Sequence, residues 1–351
     1  MLSNQPLLRA LAQPNYGRYA MGNAVSLIGH WVQRVAVGWL AWELTHSATW
    51  LGIVSLADLA PVVLMGPLGG ALADRHSPLR ITLITQALAM VAAAVLTIVT
   101  MSGTMTAPLL AVLVLVHGAI MAFNQPARLA LVYSLVDREH LPSAIAFNSV
   151  VFNLARFIGP AIAGAALVFS GPALAFGLNT VSFIAFLIAL TQIKITTTKQ
   201  VKSKANSSLL ADIREGAAYA LGHPQIGPLL IFAAVVSICT RSYVELLPGF
   251  ADEVLSGGAA TLAILSSAMG IGAVSSGLWL ANRRGAQPSG RFIGICLFVT
   301  ALTVAAFATS TSLILSVALV TVGGAFMSMA GVSTQTFLQL TMDQEYRARV
   351  M

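Results

Sequence analysis

Charged residues are scarce in this chain: only 9% of its 351 residues are Asp, Glu, Lys or Arg, whereas 57% are hydrophobic. A mean hydropathy of +0.83 excludes a water-soluble globular protein, because such a protein needs a polar surface. Cysteine is also rare. Cys239 and Cys296 both lie inside apolar stretches, so neither a disulfide framework nor a cysteine metal cluster organises the fold.

Several motifs of enzymes are missing as well. The chain has no Gly-x-x-x-x-Gly-Lys-Ser/Thr loop, which argues against ATP hydrolysis. It also has no His-Glu-x-x-His zinc motif and no Gly-x-Ser-x-Gly nucleophile turn. We therefore expect no enzymatic activity, no cofactor and no metal.

Long apolar stretches make up most of the chain. Each is about 20 residues or longer, which is enough to cross a ~30 Å hydrocarbon core as a helix. Their number and spacing predict an all-α integral membrane protein with ten spans. The predicted spans are residues 19–43, 50–73, 80–101, 108–133, 143–169, 172–192, 226–247, 259–281, 290–309 and 312–337.

Lys and Arg occur in every second connection between these stretches. Short loops rich in Lys and Arg stay in the cytoplasm, so the pattern predicts a cytoplasmic N-terminus. The net charge of +7 is spread over these loops, so topology explains it and we expect no nucleic-acid partner. The basic residues of these connections are Arg9, Arg18, Arg75, Arg80, Arg128, Arg138, Lys194, Lys199, Lys202, Lys204, Arg214, Arg283, Arg284, Arg291, Arg347 and Arg349.

The longest polar segment, residues 194–225, separates six predicted spans from four. Its first part is a cationic, flexible linker, and its second part has the apolar periodicity of an amphipathic helix at the membrane surface. The sequence thus predicts an N-terminal six-helix bundle over 1–193, a cytoplasmic linker over 194–225 and a C-terminal transmembrane bundle over 226–351.

A short motif follows the second predicted span. Gly70-Ala-Leu-Ala-Asp74-Arg75 resembles the loop motif between helices two and three of the major facilitator superfamily. There, Gly70 would allow close packing at the helix end, and Asp74 and Arg75 would form a charged cytoplasmic gate. The chain departs from the motif at 77–79, and only Arg80 remains of the basic run that usually follows.

Three further segments narrow the resemblance. Residues 31–40, 123–128 (which end in Arg128, a further gate residue) and 148–160 are similar to the enterobactin-exporter-like branch, the transmembrane secretion effectors. This resemblance implies a secondary active exporter of small amphipathic molecules, such as siderophores or drugs. It implies alternating access in the bacterial inner membrane with protons as the coupling ion, and it names no substrate.

Members of the superfamily have twelve spans, whereas ten are predicted here. Residues 345–351 resemble the basic loop before helix eleven, so we expect a complete N-terminal six-helix half and a C-terminal half truncated to four spans. A carrier that naturally has ten spans is the alternative. A truncated chain also leaves open a different function, that of a non-transporting membrane protein or partner-binding scaffold.

Five charged residues stand out inside the predicted spans. A charge at the bilayer centre costs about 2.5–3.5 kcal/mol or more, so such residues are candidates for a functional role. They are Arg34, Asp58, Arg156, Arg241 and Glu245.

Arg34 and Asp58 occupy matching depths in the first two spans. Counted from the span ends, both lie ~12–14 Å below the outer surface at a rise of 1.5 Å per residue, so we expect them to pair. The pair would couple protons or substrate to opening, or it would be a static salt bridge. Asp58→Asn is accordingly expected to impair transport more than Glu245→Gln.

The remaining intramembrane polar residues favour structural roles. Arg156 is either a cavity-facing cation or a structural residue beside Gly159, which leaves room for a close helix neighbour. Arg241 and Glu245 are four residues apart and can pair on one helix face. His117 could titrate near neutral pH, although a lone His in a membrane helix is more often a hydrogen-bonding residue. The buried amides are expected mainly to connect helices; they include Asn23, Gln33, Asn124 and Asn179.

Overall fold

The computed structural model describes residues 10–137, 139–193, 242–282 and 289–341, with the isolated positions 222, 227, 228, 231, 232 and 235. All regular structure in this part of the chain is helical, which confirms the predicted all-α class. The predicted linker 194–225 apart from position 222, half of the predicted span 226–247, and Arg241 lie outside the described residues. The long helices are α1 (Pro14–Thr45), α2 (Ala48–Arg75), α3 (Pro78–Met101), α4 (Ala107–Leu135), α5 (Leu141–Ser170), α6 (Pro172–Thr191), α7 (Gly258–Asn282), α8 (Gly290–Ala308) and α9 (Leu313–Thr341).

Eight of these helices, α2 to α9, are long and apolar enough to cross a membrane, so the chain is a multi-pass membrane protein. The first helix, α1, has 32 residues but is less apolar. It carries His30, Gln33 and Arg34 among its polar residues, and these side chains line a cavity inside the protein. Helix α1 is therefore less apolar than the other long helices because part of it lines a polar interior.

Proline and glycine set several helix boundaries. Helices α1, α3, α4, α5 and α6 each have a Pro in the first or second position, where the missing N–H has no helical acceptor to lose. Gly171 joins α5 to α6 with a φ of 77°. A residue with a side chain would be strained in this left-handed conformation, so glycine permits the short turn.

The chain divides into two compact units. Among described residues, the first unit holds 10–193 and 245–267, and the second holds 242–244, 268–282 and 289–341. In the first unit α2 packs on α4, α1 on α5 and α6, and α3 on α4 and α6. In the second unit α7 and α9 approach closely at Gly324, where an added Cβ would lie 2.5 Å from the Met269 carbonyl oxygen.

Glycines fix the closest helix contacts of the first unit. A Cβ on Gly118 of α4 would lie 2.5 Å from the carbonyl oxygen of Asp58 in α2, and one on Gly159 of α5 would collide with Trp31 of α1. The close approach predicted at Gly159 is confirmed. Among the described residues a Cβ on Gly70 would meet nothing within 4 Å, so the packing role of Gly70 stays a prediction. The neighbouring Gly69 is the contact residue, against the Ala122 carbonyl.

Residues 245–254, here called the capping segment, belong to the first unit although they follow the linker in sequence. The segment contains the short helix Leu247–Gly249 and the π-helical turn Phe250–Val254. A Cβ on Gly249 would lie 2.7 Å from the ring of Trp42, and one on Gly38 would lie 3.5 Å from Pro248. The capping segment thus covers the C-terminal half of α1.

Candidate functional site

The first unit contains a partly open cavity, with about 570 Å³ of space between its walls when the open side is included. Helices α1, α2 and α4 and the capping segment form its walls. The apolar part of the lining is made of Val, Leu and Gly residues from these helices. The other lining residues are His30, Gln33, Arg34, Ser55, Asp58, His117 and Glu245. A few polar groups in an apolar wall are the usual means of orienting a small-molecule ligand.

Arg34 forms its ion pair with Glu245 of the capping segment, at 2.5 Å between Nη2 and Oε1. The side chains are 26% and 21% exposed. This result corrects the predicted partner, because Arg34 was expected to pair with Asp58, which lines the same cavity. The expected pairing of Glu245 with Arg241 concerns a residue outside the described part. Depth in the membrane could not identify Glu245 as the partner of Arg34, because Glu245 follows Arg34 by 211 positions in the sequence.

A second polar contact joins α1 to the capping segment. The Trp42 indole N–H donates to Asp252 Oδ2 at 2.9 Å. His46, just past the end of α1, places Nδ1 3.9 Å from the same oxygen. Together with the Arg34–Glu245 pair, this contact holds the capping segment against α1 at two levels.

Arg34 and Arg156 lie over the same aromatic ring. Their guanidinium carbons are 5.5 Å and 5.7 Å from the centroid of Trp31, which also packs edge-on against Phe152 at 5.9 Å. Cations are attracted to the face of an indole ring. The buried Nε of Arg156 has no hydrogen-bond partner among the described residues, and Arg156 is not part of the cavity lining. The contact with Trp31 thus accounts for its placement.

Amides connect the helices of the first unit, as the sequence predicts. Asn179 of α6 donates to Gln33 of α1 at 2.7 Å, and Asn124 of α4 donates to Thr85 of α3 at 2.8 Å. Interhelical hydrogen bonds of this kind stabilise helix pairs in lipid by about 0.6–2 kcal/mol each. Gln33 combines this role with a place on the cavity wall.

The gate residues implied by the resemblance separate into two groups. Arg128 of α4 donates to Asn23 of α1 and lies 5.0 Å from the ring centroid of Phe186 in α6, so it ties three helices together. Asp74, Arg75 and Arg80 are exposed, and within the described ranges none of them forms an ion pair. Their role as a charged gate stays a prediction.

We expect Arg128→Gln to lower the free energy of unfolding by about 1–2 kcal/mol, since it removes a charged hydrogen bond and a cation–π contact. Arg75→Gln is the matched control, because Arg75 is exposed. Its effect should stay within about 0.5 kcal/mol. Thermal unfolding in detergent measures both; equal losses in the two variants would contradict the structural role of Arg128.

Two histidines stack inside the cavity. The ring centroids of His30 and His117 are 6.0 Å apart, with an angle of 21° between the ring planes. His117 is 3% exposed, and neither of its ring nitrogens has a hydrogen-bond partner among the described residues. An unsatisfied buried polar group costs about 1–3 kcal/mol, so this arrangement is maintained at a penalty. Within the described residues the hydrogen-bonding alternative for His117 therefore has no protein partner, and its titration stays a prediction.

His30 was not singled out by the sequence reasoning. It precedes Arg34 by four residues, so both lie on one face of α1. This spacing of four residues was the signal in the sequence that could have identified His30. It places a second titratable side chain on the helix face that carries Arg34. The sequence contains no comparable signal that α4 brings His117 against His30.

Comparisons with known proteins give a consistent picture. Residues 9–351 match the family model described as transmembrane secretion effector. The Staphyloferrin A transporter of Staphylococcus aureus is 28% identical over 257 residues, which cover 72% of this chain and 63% of that protein. Macrolide efflux protein A of Streptococcus pyogenes is 30% identical over 149 residues, covering 42% and 36%. The matches thus span less than two thirds of the length of these curated relatives.

Solved structures share the fold. The nucleoside transporter NupG superposes with a TM-score of 0.70 at 15% identity, covering 96% of this chain and 85% of that chain. An inward-facing bacterial homologue of the iron transporter ferroportin gives a TM-score of 0.65 at 15% identity, with coverage of 96% and 86%. At these identities the likeness concerns the fold.

Proposed function

The chain belongs to the transmembrane secretion effector family of the major facilitator superfamily, and we propose that it exports small amphipathic molecules of the siderophore or macrolide kind. The cavity in the first unit carries the proposal. Its lining combines apolar walls with charged and hydrogen-bonding groups, which is typical of small-molecule sites. The names of the two relatives support both substrate classes.

We further propose that transport proceeds by alternating access, with the domain division 1–193, 194–225 and 226–351. Superfamily halves rock about a central site, so contacts on one side must break while those on the other form. The contacts between α1 and the capping segment are suited to such a step. They include an ion pair and an indole–carboxylate hydrogen bond, which can separate without unfolding a helix.

Orientation and energy source are part of the same proposal. The basic loops favour a cytoplasmic N-terminus in the inner membrane of a bacterium. Export against a gradient without an ATP-binding loop needs an ion gradient, and we assign this role to protons. The titratable groups of the cavity, Asp58, Glu245 and the two histidines, support proton coupling.

Transport is tested with the purified chain in proteoliposomes. Vesicles with an acidic interior are diluted into neutral buffer that contains a radiolabelled macrolide or staphyloferrin A. Inverted molecules are expected to accumulate one of these compounds, and dissipating the pH gradient is expected to abolish the accumulation. Uptake no higher than in protein-free liposomes with both compounds would overturn the proposal.

A further inference from the structure

The stacked pair of His30 and His117 has no assigned role in binding or gating. The two imidazoles come from different helices, α1 and α4, and both line the cavity. Their stacking is nearly parallel, and the rings are neighbours although 87 positions separate them along the chain. Two titratable rings in contact are an unusual way to fill a membrane protein interior if they serve packing alone, since apolar side chains would pack there without polar atoms.

The free nitrogens of His117 point to a small ligand. A neutral imidazole has one donor and one acceptor, and both of these are buried in His117 without a partner in the described part of the chain. Unpaired polar groups in native interiors call for a functional explanation. A proton is small enough to reach such a nitrogen through a chain of water molecules.

Several charged groups face the pair. Asp58 of α2 lines the same cavity, and its helix is held beside His117 by the close approach at Gly118. The neighbouring cations are Arg34, which follows His30 by one turn of α1, and Arg128. Glu245 also faces the cavity and neutralises Arg34. Two imidazolium rings in contact would repel each other, so the pair can hold at most one positive charge.

We propose that His30 and His117 form a proton-binding site of this cavity, which takes up one proton from water and releases it on the other side of the membrane during each cycle. The proposal rests on the proposed transport function. Uptake forms an N–H bond at a free ring nitrogen and changes the charge of the pair from zero to one; release breaks that bond and returns the proton to water. The imidazolium charge repels Arg34 and thereby weakens its hold on the capping segment.

Proton binding is tested on the full chain in lipid nanodiscs, without any substrate. Imidazole carbons are labelled with ¹³C, and their NMR signals are followed between about pH 5 and pH 9, the range in which histidine changes charge. The variants His30→Gln and His117→Gln assign the two signals. Each substitution is expected to move the titration midpoint of the remaining ring by about one pH unit, the size expected for interacting sites.

His140→Gln provides the matched control, because His140 precedes α5 and its side chain makes no capping hydrogen bond. It should leave the midpoints of His30 and His117 unchanged. The proposal is overturned if neither ring titrates in this range, or if each midpoint is insensitive to loss of the other ring. This outcome is independent of whether any compound is transported.

Coupling is tested in the proteoliposomes described above. The double variant His30→Gln/His117→Gln is expected to reduce macrolide uptake driven by the pH gradient about tenfold, within the usual range of coupling between sites. Exchange of labelled for unlabelled macrolide without a gradient should persist, which shows that the variant is folded. Undiminished gradient-driven uptake in the double variant would overturn the proton site while leaving the transport function intact. If the wild-type chain moves neither compound, the transport function fails and the NMR titration alone decides the proton site.

Discussion

Glu245→Gln is expected to reduce transport about tenfold and to lower the free energy of unfolding by about 1–3 kcal/mol. Loss of one partner from a buried ion pair costs about 3–5 kcal/mol because it leaves an uncompensated charge. Arg34 and Glu245 are 26% and 21% exposed, so water screens part of the remaining charge and reduces this cost. The sequence-based ranking, in which Asp58→Asn has the larger effect on transport, is tested by measuring both variants in the same assay.

The control for this variant is Glu253→Gln, an exposed carboxylate eight residues further along the capping segment. It changes the same net charge and should leave stability and flux near wild-type values. The double variant Arg34→Gln/Glu245→Gln separates the two possible roles of the pair. Recovery of stability without recovery of flux shows a functional pair, whereas recovery of both shows a structural bridge. Wild-type flux in Glu245→Gln alone would contradict a role of the pair in transport.

The sequence predicted the membrane helices well because their signal is local. Each span is a long apolar run, and nine of the ten predicted runs coincide with α1 to α9. The first helix shows the limit of this signal. It was predicted at 19–43 and extends over Pro14–Thr45, because its polar start near Tyr16 is buried by packing that hydropathy does not register.

The candidate site was predicted less well because its contacts are not local. Depth along the membrane placed Arg34 level with Asp58, yet the rotation of α1 and the return of the chain at Glu245 decided the ion pair. The stack of His30 on His117 depends in the same way on the relative rotation of α1 and α4. The sequence shows which residues share a face of one helix. It does not show how two helices are rotated relative to each other, and that rotation decides these contacts.

Gly69 and Gly70 show that adjacent residues of one helix can differ completely in their contacts. Successive residues of an α-helix point about 100° apart, so these two adjacent glycines of α2 have different surroundings. Gly69 is buried against α4, where an added Cβ would collide with the Ala122 carbonyl oxygen and lie 3.0 Å from the Phe123 Cα. Both of these are backbone atoms, which cannot move aside as a side chain can.

Gly69→Ala is therefore expected to lower the free energy of unfolding by about 1–3 kcal/mol, the cost of overpacking a tight contact. Gly70→Ala on the same helix should be neutral or stabilising by up to about 1 kcal/mol, because alanine favours a helix and the space around Gly70 is open. Thermal unfolding of both variants in one detergent, followed by tryptophan fluorescence, measures the difference. Equal melting temperatures for the two variants would contradict the close approach of α2 and α4 at Gly69, since the substitutions differ only in the helix face that receives the methyl group.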